Sequence, residues 1–326
     1  MNKSNTSKNS WLALLAVLVT SVLIYFCLSK IDLNHFWDSI RDLNWIYLGL
    51  ACAFTLLILI LSSLQFKIFL PPGAPISVPK LFQIVSVFAM MVNLVPFWGG
   101  HALFIYLVGK REKVGVTPAL SAMTLEQIAD GVAKLFIFAL VSFLIALPPW
   151  MNNGIRALVL LVSGVYILVF YLAIRFRHLN QNKEFTPVGW RRLLHFAANW
   201  AFHLHALRSL SKTLLGFGLG ISMKLCEVMA VFMVQKSFGL DFSFPQALLV
   251  VAALCVATTL PLTPGRLGIF EGTVLLIYQY LGLDPSLALA LGVVIHVVHT
   301  LPFIIVGYFN SIRLGFTRKE LLTAPE

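Results

Sequence analysis

Long apolar stretches are the feature that most restricts how this chain can fold. About 20 apolar residues cross the roughly 30 Å of hydrocarbon in a bilayer, and six stretches reach that length: residues 11–29, 45–67, 116–147, 155–174, 213–235 and 287–309. Only 11% of residues are charged, against about 25% in soluble domains. The sequence therefore predicts an all-α, polytopic helical membrane protein with about six full spans, forming a single membrane domain over residues 1–326. A cytosolic enzyme and a secreted disulfide scaffold are excluded.

Two further apolar regions, residues 80–109 and 244–281, are interrupted by prolines and glycines. The predicted turns contain Pro96, Gly99, Gly100, Pro261, Pro264, Gly265 and Gly268. Each limb reaches only about 20–25 Å at 1.5 Å per residue, which is too short to span. Interrupted helical backbone within the membrane is tolerated only where protein groups or a water-filled cavity supply hydrogen bonds to its free N–H and C=O groups. We therefore expect two re-entrant helical hairpins around an interior polar site.

Basic residues concentrate on one predicted side of the membrane. With a cytoplasmic N-terminus, most of the 24 lysines and arginines fall in inside segments, as the positive-inside rule requires. This placement explains the net charge of +11 without nucleic acid, because no nucleic-acid-binding module is present. We expect a multi-pass protein of the cytoplasmic (inner) membrane with both termini cytoplasmic. Residues 175–212 form a cytoplasmic connection, either an interfacial helix or a half-buried strut between repeats.

The predicted elements form two similar units of opposite orientation. Residues 45–147 and 213–309 each read as helix, hairpin, helix, with the first hairpin entering from the cytoplasm and the second from outside. The segment from Asn93 through Pro96 to His101 lines up with the segment from Thr258 through Pro261 to Arg266. Inverted repeats with broken helices are typical of transporters. The alternative is that two Pro–Gly turns coincide by chance.

Ionisable residues within spans are costly and indicate function or charge pairing. Glu126, Asp130 and Lys134 recur every four residues, so they share one helix face. Asp130 and Lys134 are predicted to pair, which leaves Glu126 for a ligand or a proton. The alternative is a charge-paired helix contact with no transport role. Lys224 and Glu227, three residues apart, are predicted to pair structurally.

The second hairpin turn contains the strongest candidate for ligand binding. Arg266 offers a planar fork of donors suited to phosphate, and a limb restarting at Gly268 would point free N–H groups toward the same ligand. Glu271 lies in the same turn, and His101 is the counterpart of Arg266 in the first turn. Alone, His101 would more often be a hydrogen-bonded structural histidine.

His296 and His299 are three residues apart within the last predicted span. Two histidines without a third convergent ligand are weak grounds for a metal. No metal site and no cofactor are therefore predicted, and a hydrogen-bonded or proton-relaying pair is favoured.

These motifs resemble those of a known family. Asn93…Pro96, Gly99-Gly100, Leu125-Glu126…Asp130 and Pro261-Leu-Thr-Pro264-Gly-Arg-Leu-Gly268-Ile-Phe-Glu271 are similar to the lysylphosphatidylglycerol synthase transmembrane-region, or flippase-like, family. The resemblance implies an inner-membrane protein that moves or handles a lipid headgroup between leaflets. Some relatives add a cytosolic domain that makes aminoacylated phosphatidylglycerol. Because the chain ends at Glu326, soon after the last predicted helix, we expect a stand-alone membrane region without synthase activity.

The sequence departs from the family pattern at three positions. His101 follows Gly100 where the family usually has an acidic residue and an arginine, and Glu126-Gln127 replaces a Glu–Arg pair. Arg266 occupies a position that is usually glycine. Compared with the pattern of the family, the expected site has fewer charged residues in its first half and one more in its second half.

The resulting hypothesis is a flippase-like protein that translocates or handles an anionic phospholipid or lipid-linked headgroup. In it, Arg266, His101 and Lys134 receive a lipid phosphate, while Glu126, Asp130 and Glu271 counter those charges or accept protons or headgroup amines. Asn93 completes the predicted site. Partners are membrane lipids and, as a further possibility, a lipid synthase. The alternatives are an intramembrane enzyme on lipid-linked substrates, although no catalytic constellation is found, and a non-transporting scaffold for an envelope-lipid synthase.

Overall fold

The computed structural model describes residues 33–95, 99–175, 200, 204, 209–258 and 263–315, and every regular element within them is helical. This confirms the predicted all-α fold. In chain order the helices are α1 Leu33–Arg41, α2 Trp45–Phe69, α3 Val78–Leu94, α4 Gly99–Tyr106, α5 Val116–Leu144, α6 Pro149–Arg175, α7 Leu210–Ser237, α8 Phe244–Ala257, α9 Ile269–Tyr280 and α10 Pro285–Arg313.

Five of these helices, α2, α5, α6, α7 and α10, are long and apolar enough to cross a membrane. They coincide with five of the six predicted spans. The sixth, residues 11–29, lies outside the described residues, as does most of the predicted connection at residues 175–212. Trp200 from that connection donates a hydrogen bond from Nε1 to Thr124 Oγ1 on α5, at 3.2 Å.

The two interrupted regions form pairs of shorter helices. Helix α3 contacts α4, which continues into a π-helical turn at Leu107–Arg111. Helix α8 likewise contacts α9. At 1.5 Å per residue, α3, α8 and α9 measure about 18–26 Å, less than the hydrocarbon thickness. The breaks therefore occur where the prolines and glycines predict them. The re-entrant path of each pair, and the inverted repeat, stay predictions.

Local sequence explains where these helices begin. Ser77 and Pro79 open α3, and Ser77 Oγ accepts a hydrogen bond from the Lys80 N–H. Asp284 opens α10, with Oδ1 accepting from the Ser286 N–H at 2.8 Å, and Pro285 follows at the first helical position. A capping side chain followed by proline satisfies free N–H groups and presets the helical φ angle.

Apolar side chains pack into two clusters, one around each interrupted region. The first contains Phe66, Leu81, Phe104 and Leu125. The second contains Val228, Val250, Val274, Tyr278 and Leu291. The most extensive helix contact joins α2 to α7, where Gln65 Nε2 donates to the Gly216 carbonyl at 2.8 Å. This arrangement gives each broken segment its own core and leaves polar side chains to meet between them.

Candidate functional site

A cavity of about 310 Å³ lies between the two apolar clusters and takes residues from both. Its polar lining is Ser62, Asn93, His101, Glu126, Gln127, Asp130, Lys134, Lys224, Glu227, Thr258, Thr263, Arg266 and His299. Six of the seven predicted binding residues therefore share one cavity, although they come from α3, α4, α5 and the second turn. Glu271 does not line it.

The two interrupted segments meet at this cavity. Gly265 has φ +61°, and a Cβ built there would lie 3.3 Å from the Asn93 carbonyl oxygen. Glycine adopts this left-handed conformation without penalty and allows the turn to approach the end of α3. Of the other predicted turn residues, Gly99 and Gly100 begin α4, Pro264 begins a short 3₁₀ turn and Gly268 precedes α9. Pro96 and Pro261 lie outside the described residues.

Arg266 follows Gly265 in the same left-handed region, with φ +59°. For a residue with a Cβ this conformation costs roughly 1–2 kcal/mol. The backbone is fixed locally: the Arg266 N–H donates to the Thr263 carbonyl at 3.1 Å, and Thr263 Oγ1 donates to the Leu267 carbonyl at 3.0 Å. The half-buried side chain of Arg266 lines the cavity, and no carboxylate in the described part of the chain lies within 4.0 Å of it.

Four charged side chains on α5 and α7 form a continuous chain of ion pairs. Lys134 Nζ lies 2.7 Å from Asp130 Oδ2, and Lys224 Nζ lies 3.2 Å from Asp130 Oδ1. Lys224 Nζ also lies 2.8 Å from Glu227 Oε1. Both predicted pairs are confirmed. The Asp130–Lys224 contact joins two helices and was not predicted, since helical spacing reveals only pairs within one helix.

Glu126 is placed differently from Asp130, one turn along the same face of α5. Its Oε2 accepts a hydrogen bond from Gln127 Nε2 at 2.7 Å, and Gln127 Nε2 lies 3.5 Å from His101 Nε2. No lysine, arginine or histidine among the described residues lies within 4.0 Å of this half-buried carboxylate. The predicted separation of roles on this face, with Asp130 paired and Glu126 available, therefore agrees with the geometry.

Glu271 anchors α9 instead of facing the cavity. Its Oε2 accepts a hydrogen bond from the Gly268 N–H at 2.7 Å, and its Oε1 lies 2.6 Å from His296 Nδ1 on α10. His296 also stacks on Phe270, with ring centroids 4.4 Å apart. His296 is thus bonded to Glu271, while His299 lines the cavity. This carboxylate–imidazole contact fixes the start of α9 against α10.

Several lining residues carried little signal in the sequence. Thr258 and Thr263 flank the second break, and Gln127 follows Glu126 on α5. Hydroxyls and amides within apolar segments often bond back to their own helix, as Thr258 Oγ1 does to the Leu254 carbonyl at 2.7 Å. For the two threonines, the position beside the break was the one available indication.

The fold and cavity together define a class: an all-helical membrane protein in which two interrupted segments enclose a charged interior site. The sequence profile described as the lysylphosphatidylglycerol synthase TM region matches residues 13–307, and the chain belongs to this family. A relative described as a UPF0104 membrane protein, from Methanothermobacter thermautotrophicus, is 26% identical over 287 residues. That match covers 79% of this chain and 82% of the relative.

Proposed function

We propose that the protein binds the phosphate-bearing headgroup of a membrane lipid in this cavity and moves it between the leaflets of the cytoplasmic membrane. The observation that carries the proposal is Arg266, a half-buried guanidinium that lines the cavity without a carboxylate partner in the described residues. A charge that is partly withdrawn from water and has no partner is unfavourable. A phosphodiester would supply the missing anion in a geometry that matches the guanidinium fork.

The size of the cavity supports a headgroup rather than a whole lipid. Ligand pockets in proteins range from about 300 to 1,000 Å³, and this cavity is at the lower limit. Acyl chains would stay in the surrounding bilayer while the polar part crosses. The site then needs to shield only the phosphate and its substituent from hydrocarbon.

The two interrupted segments supply the proposed motion. Each limb pair would enter the membrane from one side, and the second turn meets the end of α3 where Gly265 approaches Asn93. Rocking of one helix–hairpin–helix unit against the other would expose the cavity to each face in turn, as in transporters built from inverted repeats. The proposed role is transport, without covalent change to the lipid, and both termini would be cytoplasmic.

Lipid movement in reconstituted vesicles tests this function. Purified protein is incorporated into liposomes that contain an acyl-labelled phospholipid, and an impermeant quencher reports how fast the label changes leaflet. We expect Arg266→Gly, which removes the charge and suits the backbone conformation, to slow movement by at least about tenfold, the effect of losing one charge-assisted bond. Lys110→Gln is the matched control, because Lys110 is exposed outside the cavity. Full-rate movement with Arg266→Gly would refute the proposal.

A further inference from the structure

Two cavity charges of opposite sign remain after the ion pairs are assigned. Lys134, Asp130, Lys224 and Glu227 form their own chain, two cations with two anions. The two remaining formal charges in the lining are the positive Arg266 and the negative Glu126. Within the described residues, neither has an oppositely charged group within 4.0 Å.

The two remaining charges come from different parts of the fold. Arg266 belongs to the turn of the second interrupted segment, and Glu126 belongs to α5, which follows the first. Gln127, whose amide donates to Glu126, lies 3.5 Å from His101 in α4. The cavity therefore presents a cation on one structural unit and an anion, held by an amide, on the other.

These charges restrict the chemistry of a complementary ligand. A headgroup with a phosphate alone would satisfy Arg266 but would leave Glu126 without a cation and would add a further anion to the same cavity. A headgroup with an amine alone would leave Arg266 without an anion. In a low-dielectric site each such mismatch is unfavourable, since buried charges need partners and like charges repel. One phosphate with one ammonium satisfies both.

We propose that the cavity selects a zwitterionic lipid headgroup, in which a phosphodiester binds Arg266 and a primary ammonium binds Glu126. This inference rests on the proposed function and specifies its substrate class. The ammonium donates hydrogen bonds to the Glu126 carboxylate, and the phosphodiester oxygens accept them from the Arg266 guanidinium. The occupied cavity then holds no net formal charge when its histidines are neutral, which favours carrying the headgroup through hydrocarbon.

A pair of matched ligands tests the inference on the purified full chain. Calorimetry in detergent compares dihexanoyl phosphatidylethanolamine with its N-acetyl derivative, which keeps the phosphodiester and the backbone but lacks the positive charge. We expect the free amine to bind at least roughly tenfold more tightly, as one charge-assisted hydrogen bond would give. Glu126→Gln should remove this preference, whereas Arg266→Gly should weaken both ligands. Glu112→Gln is the control, because the Glu112 carboxylate lies outside the cavity, 3.6 Å from Lys80 Nζ. This variant should leave both affinities unchanged.

The possible results separate the inference from the function on which it rests. If the native protein binds the N-acetyl lipid as tightly as the free amine, while Arg266→Gly weakens both, the zwitterionic class is refuted and an anionic ligand takes its place. If Glu126→Gln retains the preference, the assignment of Glu126 is refuted. If Arg266→Gly binds both lipids like the native chain, the proposed function fails too. The comparison of the two ligands uses only the native protein, so its result does not depend on whether a variant folds.

Discussion

Asp130 on α5 and Lys224 on α7 lie within ion-pair distance, with Lys224 Nζ 3.2 Å from Asp130 Oδ1. Asp130 also binds Lys134, and Lys224 also binds Glu227. This contact links a helix of the first predicted repeat to a helix of the second, beside the cavity. Charged groups within long apolar helices are tolerated because they pair with each other.

Removing Asp130 should therefore destabilise the protein more than a surface carboxylate would. Asp130→Asn leaves two lysines sharing one anion. Breaking a fully buried pair from one side costs about 3–5 kcal/mol, and because the side chains of Asp130 and Lys134 are 28% and 20% exposed, we expect a cost below that range. We expect a clearly lower midpoint in a thermal melt of the detergent-solubilised protein, followed by fluorescence-detected size exclusion.

The charge-balanced double variant Asp130→Asn with Lys134→Met supplies the control for this experiment. It leaves Lys224 paired with Glu227 at 2.8 Å and removes the uncompensated lysine. We expect it to recover a large part of the lost stability, since no lysine is left without a carboxylate partner and the penalty for an uncompensated charge is removed. A double variant as unstable as the single one would contradict the ion-pair explanation.

Glu271 and His296 should behave as a coupled structural pair. Glu271 accepts from the Gly268 N–H and contacts His296 across two helices. Glu271→Ala and His296→Ala should each lower stability by roughly 1–3 kcal/mol, the penalty for leaving a buried polar group without its partner. The double variant should lose less than the sum, with a coupling of about 0.5–3 kcal/mol.

Unfolding in a graded denaturing detergent measures the four states of this cycle. Strict additivity would show that the two side chains act independently, against the 2.6 Å contact. Binding of the short-chain lipids described above provides a second readout. Because neither Glu271 nor His296 lines the cavity, His296→Ala should change stability and leave the free-amine preference in place.

Much of the fold could be predicted from local sequence, since each element depends on neighbours along the chain. Apolar length located α2, α5, α6, α7 and α10, and the helix breakers located the interruptions near Asn93 and Gly265. The pairing of Asp130 with Lys134 follows from the four-residue spacing of a helix face.

What the sequence could not supply were contacts between distant segments. Lys224 could be assigned to Glu227 by spacing, but not to Asp130. Glu271 was predicted to bind the ligand because it lies in a polar turn, yet the packing of α9 on α10 brings it to His296. Tertiary packing decides which of several polar residues remains available, and a single sequence contains no direct record of it.

Arg266 allows a test that separates backbone strain from ligand binding. Because its φ is +59°, Arg266→Gly should leave stability unchanged or raise it by about 1 kcal/mol. Arg266→Ala removes the same charge but keeps a Cβ in the left-handed region, so it should be less stable than the glycine variant. Both should weaken lipid binding alike. Thermal melts and calorimetry on the two variants measure both effects, and a glycine variant less stable than alanine would contradict the strained backbone.

The re-entrant course of the two interrupted segments predicts which positions share a side of the membrane. If the first segment returns to the side it came from, single cysteines at Pro72 and Lys110, both exposed, should react with an impermeant maleimide from the same face. Cysteines at Asp241, just before the second segment, and at Gln279, in its last turn, are also at exposed positions and should react together from the opposite face. The background is a variant in which Cys27, Cys52, Cys226 and Cys255 are replaced by serine.

Labelling of intact and permeabilised cells distinguishes the two faces of the membrane. We expect the first pair on the cytoplasmic side, because Lys110 and Arg111 follow the positive-inside rule. Labelling of Pro72 and Lys110 from opposite faces would show a full crossing and would remove the inverted repeat on which the proposed rocking motion depends.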